Sequence, residues 1–94
     1  MAVLVTQEFD ASVEQYDKAN EKIDPQSNPP DGLILHSGVD IGGGKMKVVD
    51  VWESADKFQA FADEKIGPVV AEVVGEDAPE PKIEIEELHD LIRP

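Results

Sequence analysis

Two strand-like stretches each carry an ionisable side chain in apolar company. "GLILHSGVD" (Gly32–Asp40) holds His36, and "MKVVDVW" (Met46–Trp52) holds Asp50. A histidine beside a carboxylate is a general-base arrangement. The carboxylate fixes which ring nitrogen carries the proton, and the other nitrogen can accept one from a substrate. His36 and Asp50 are therefore the candidate catalytic residues. The bland alternative is a satisfied histidine packed in an interface. Trp52, Ile34 and Val48 are candidates to hold the apolar body of a substrate, and Tyr16 is a further candidate for substrate binding. Trp52 and Tyr16 each have a packing alternative, in an interface and in the core of helix one. His89, near the C-terminus, reads as surface or subunit contact. Two histidines and scattered carboxylates show no metal-ligand spacing, and cysteine is absent. Neither a metal nor a thiolate nucleophile is expected, and no cofactor is implied.

Composition narrows the partners. Eight basic residues against 21 acidic ones give a net charge of −13. That charge repels nucleic-acid phosphates and anionic lipid alike. No apolar run approaches the ~20 residues that cross a bilayer, and nothing resembles a signal peptide. The expectation is a cytoplasmic protein whose 94 residues make a single domain, with no nucleic-acid or membrane partner. A domain this small buries only ~60–65% of its unfolded surface, so a second subunit would help it.

The elements that must position these residues follow from periodicity. Ala2–Gln7 is β-branched and apolar and reads as a strand. Ser12 with Gln15 makes a capping box, and Val13, Tyr16, Ala19 and Ile23 recur at helical spacing, so a helix is predicted over 13–23. "DPQSNPPDG" stops it. Gly32–Gly38 and Met46–Trp52 read as antiparallel strands about a glycine-rich turn, "DIGGGK". That turn lacks the Walker serine or threonine and the strand-to-helix setting of a phosphate loop. Ser54 caps a second helix with Phe58, Phe61, Ala62 and Ile66 on its apolar stripe, and Gly67-Pro68 kinks or restarts it. Lys82–Leu88 alternates as a last strand. The order β-α-β-β-α-β is the ferredoxin-like α+β arrangement: a four-stranded antiparallel sheet with helices on one face.

Alternation assigns the faces. The odd positions of the two central strands are mainly aliphatic (Leu33, Leu35, Val49, Val51) and suit packing under the helices. The even positions, Ile34, His36, Val48, Asp50 and Trp52, are mixed yet too apolar for open water. A second copy covering this even face, with a cavity between the two sheets, is the simplest expectation, and the protein is predicted to be a homodimer. His36 and Asp50 should be neighbours within hydrogen-bonding reach.

"VVDVWESADKFQAF" (Val48–Phe61), a strand ending in Trp-Glu-Ser and running into a helix with aromatic spacing, resembles the dimeric α+β barrel superfamily that includes antibiotic biosynthesis monooxygenase-like proteins. "GLILH" and the Gly67-Pro68 pair fit as well. The resemblance covers most of the chain. It implies a dimer closing an α+β barrel, and a cofactor-independent monooxygenase or cyclase. Such an enzyme would act on an aromatic or polyketide-like small molecule in a pocket between sheet and helices. Haem-degrading members resemble an asparagine, tryptophan and helix-borne histidine set. Here only Trp52 matches it, which disfavours haem. Oxygenase members imply a role for Trp52, and cyclase members imply a pairing of His36 with Tyr16. A non-catalytic small-molecule-binding or interaction dimer accounts for the same residues without chemistry.

Overall fold

The computed structural model covers Met1–Pro94. Four strands, β1 (Val3–Phe9), β2 (Leu33–Gly42), β3 (Lys45–Trp52) and β4 (Lys82–Glu87), form one antiparallel sheet in the order β2-β3-β1-β4. The helices are α1 (Val13–Ile23), α2 (Ala55–Phe61) and α3 (Gly67–Val73), with a π-helical turn, Ala62–Ile66, joining the last two. This is the ferredoxin-like α+β fold.

Local chemistry sets the element ends. The Ser12 hydroxyl accepts from Gln15 N–H while Gln15 Oε1 accepts from Ser12 N–H, which completes the capping box. Strands β2 and β3 run further than their apolar cores suggest, because only Gly43 and Gly44 make the turn. Their φ angles of 65° and 73° are those of a type I′ hairpin, which glycine adopts without strain. Pro68 has no N–H to continue an α-helical ladder. The chain meets it with the wider π turn, in which Gly67 N–H bonds to Ala62 C=O five residues back.

Strand pairing defines two faces. Cross-strand partners share a face, so the inner rows are Leu33–Trp52–Val3–Glu87, His36–Asp50–Val5–Ile85 and Gly38–Val48–Gln7–Ile83. Phe58 of α2 packs on Val3, Val5 and Trp52 to make the core, with Leu33, Phe61 and Ile66 at its margin. Both Trp52 and Phe58 are 0% exposed, and their rings meet edge to face at 5.7 Å.

Two sequence expectations are corrected here. The helices cover the face of His36, Asp50 and Trp52, not the aliphatic one. His36, Asp50 and Trp52 hydrogen-bond to one another on that face, which removes most of the penalty that made it look unfit for burial. The opposite face is left open along β2, where Leu35 and Val39 are 48% and 46% exposed, although Val51 beside Leu35 is buried. Ile34 does not share a face with His36 in simple alternation either. A β-bulge between Leu33 and Leu35 makes Ile34 the extra residue, and Leu33 takes its place opposite Trp52.

Phe58→Ala is expected to lower unfolding free energy by about 3–5 kcal/mol in urea melts. Trp52, the only tryptophan, should resist iodide quenching at every protein concentration, because its cover comes from its own chain.

Candidate functional site

The inner face and the helices do not close on each other completely. A cavity of about 80 Å³ lies between them, lined by residues of α1, α3, the π turn and three strands. Neither α1 nor α3 contains a fully buried residue. They roof the cavity rather than pack into the sheet. Lys22 of α1 reaches Glu72 of α3 at 2.8 Å, joining the two roof helices on their exposed side, where such a pair contributes little.

One hydrogen-bonded chain crosses the cavity. His36 Nδ1 lies 2.7 Å from Asp50 Oδ1, and Trp52 Nε1–H donates to Asp50 Oδ2 at 3.2 Å. Tyr16 Oη lies 2.7 Å from His36 Nε2. Asp50 is 3% exposed, so its carboxylate depends on these two donors. With Nδ1–H donating to the carboxylate, Nε2 of a neutral ring is an acceptor and Tyr16 donates to it. Burial, then the nearby charges of Asp50 and Asp17, push the Tyr16 phenol above its ordinary value of about 10. These contacts form one hydrogen-bonded chain, Tyr16 to His36 to Asp50, with its phenolic end at the cavity wall.

The structure brings His36, Asp50, Trp52, Val48 and Tyr16 to this one cavity and leaves Ile34 out of its lining. Tyr16 reaches inward from α1 to His36. His89 is exposed and takes no part. Trp52 contributes an edge of the wall while most of its ring is spent on Phe58 and Phe61. No group of three or more metal-ligating side chains converges anywhere.

Two residues that matter here escaped the sequence reading. Gly38 is the neighbour of His36 on the inner face of β2. A Cβ there would come within 2.6 Å of the Tyr16 hydroxyl, so only glycine lets the phenol lie across the strand. A glycine inside a strand, two residues from a histidine, was the available signal. Gln7 is the other. It continues the inward row of Val3 and Val5 yet is polar and 1% exposed.

No family profile matches the sequence, and no curated protein resembles it in sequence. Solved structures do match in fold. A candidate antibiotic biosynthesis monooxygenase from Deinococcus radiodurans superposes with a TM-score of 0.71 at 15% identity, over 97% of this chain and 96% of that one. NE2512, a protein of unknown function from Nitrosomonas europaea, gives 0.71 at 18% identity, over 99% of this chain and 94% of that one. SnoaB, a cofactor-independent oxygenase from Streptomyces nogalater, gives 0.64 at 10% identity, over 97% and 95%. The chain thus has the fold of antibiotic biosynthesis monooxygenase-like proteins, end to end.

The lone tyrosine makes its ionisation directly readable at 295 nm. Tyr16 should titrate above 10, and Gly38→Ala should bring it back toward that value by displacing the hydroxyl. Because the folded value is raised, the native state holds the phenolic proton more tightly than the unfolded chain does. Its stabilising contribution is complete below about pH 10 and is lost as pH rises through the folded value. Urea melts of Tyr16→Phe should therefore fall off less steeply than wild type above that pH.

Proposed function

We propose that this protein is a cofactor-independent enzyme that takes a proton from an aromatic or polyketide-like small molecule bound between sheet and helices. The observation that carries this reading is the continuous Tyr16–His36–Asp50 chain ending at a cavity. Both imidazole nitrogens are engaged in the empty protein, so the proton passes through Tyr16. The substrate proton moves to the Tyr16 oxygen as the Tyr16 proton moves to His36 Nε2. The resulting imidazolium is held by the buried Asp50 carboxylate, and the substrate is left as an enolate or phenolate. Such an anion is the common starting point for reaction with oxygen and for ring closure, the two reaction types that the family resemblance implies. A site with such a wire needs no metal to make its base.

Size bears on the substrate. An engineered cavity of ~150 Å³ takes a benzene ring, and a water occupies ~30 Å³. At about 80 Å³ the partly open cavity is smaller than a ring needs, so a ring is seated only as α1 and α3 draw apart. Their lack of buried residues makes that motion inexpensive.

The second reading is a non-catalytic binder. What favours it is the same double engagement of His36, which could serve as a latch that only shapes the pocket. Exchange of acidic C–H protons into deuterated water, followed by NMR on hydroxyaromatic and 1,3-dicarbonyl compounds, separates the two. The enzyme should accelerate exchange for at least one compound, and His36→Gln and Tyr16→Phe should each cut that rate by about 100-fold. Equal rates in wild type and His36→Gln would leave only binding.

The bare sheet face is proposed as a homodimer contact. Leu35, Val39 and Ile41 form an apolar patch on a strand whose neighbours across the sheet continue it through the half-buried Val49 and Thr6. A two-fold partner presenting the same face would close the barrel. Sedimentation at micromolar concentration should give two copies for wild type and one for the Leu35→Lys, Val39→Lys double variant.

A further inference from the structure

One polar side chain of the cavity has a fully buried oxygen without a hydrogen-bond partner. Gln7 projects inward from β1 opposite Val48, one row along the sheet from Asp50. It lines the cavity, and its Oε1 is fully buried with no hydrogen-bond partner. An unpaired buried acceptor costs more than an ordinary hydrogen bond contributes. Nothing in β1 calls for an amide there, since Val3 and Val5 fill the other inward positions of the strand with aliphatic groups. The oxygen has no exposure to solvent, so only a donor that enters beside it as α1 and α3 draw apart can pair it. A ligand that enters has to supply this hydrogen bond or leave the oxygen stranded. Val48 lies beside it on β3, and Phe61, Ile66 and Val70 add apolar surface to the same cavity.

We propose that Gln7 sets the specificity of the cavity: its amide oxygen accepts a hydrogen bond from the hydroxyl or N–H of a small ligand whose remaining surface is apolar. The ligand class is a ring-sized apolar molecule with one donor, of which phenol is the simplest member. The same ring without the donor is rejected because it strands Oε1. This rests on the function proposed above, since it takes the cavity to be the ligand site.

Trp52 lines the same cavity, so its fluorescence reports occupancy. Titration with phenol and with toluene gives the donor preference as a ratio of affinities. Wild type should prefer phenol by about tenfold. Gln7→Met, which keeps the length and removes the polar atoms, should reduce the ratio to about twofold or less without loss of stability in urea, because it deletes an unpaired acceptor. Gln7→Leu gives a second apolar variant should the first fold poorly. A ratio unchanged in both Gln7 variants overturns the assignment to Gln7 and leaves the proton-transfer function standing. Saturable binding of neither probe overturns both.

Discussion

A carboxylate 3% exposed beneath two helices has to find its hydrogen-bond donors inside the protein. Asp50 finds them in His36 on the next strand and in the indole of Trp52 two residues along its own. Removing either donor would leave part of a buried charge unpaired, which costs far more than a surface ion pair gains. The constraint reaches outward from there. It fixes the register of β2 on β3, because a one-residue slip would carry His36 to the other face. It orients Trp52, whose ring then carries Phe58 and Phe61 and so seats α2. It holds the imidazole in one tautomer, and that tautomer accepts the Tyr16 hydroxyl from α1.

The roof of the cavity follows from the same network. Helix α1 meets the sheet through a phenol lying over Gly38, not through a packed aliphatic ridge. Its apolar residues and those of α3 face a void that they border without filling. The core is accordingly concentrated at one end, around Val3, Val5, Trp52 and Phe58, and the site occupies the other. A packed end that positions the hydrogen-bonded chain and a looser end around the cavity are thereby built from one sheet face. The Pro68-driven π turn lies at the junction, where it places Phe61 and Ile66 against both.

The bare face is the complement of this arrangement. Residues that are apolar and have no polar work to do (Leu35, Val39, Ile41) end up outside, while the mixed row is buried. Hydrophobic content alone ranks these faces the wrong way round. Burial is decided by whether polar groups can be paired, and pairing depends on which strands and helices meet.

Local order was written in the sequence. The helix over 13–23, its capping box, the Ser54 cap and the glycine hairpin all depend on contacts a few residues apart, where propensity and turn chemistry act directly. The approach of His36 to Asp50 was equally legible, since it needs only the alternation of two strands joined by a short turn. Three features were decided only by tertiary structure. The bulge at Ile34 shifts parity by one residue without a composition signal. Gln7 is conspicuous only once β1 is known to lie beside β3 with the cavity above it. The side on which the helices lie depends on how the connections after β1 and β3 cross the sheet. Alternation reports that a strand has two faces, but it carries no information about which one the rest of the chain will cover.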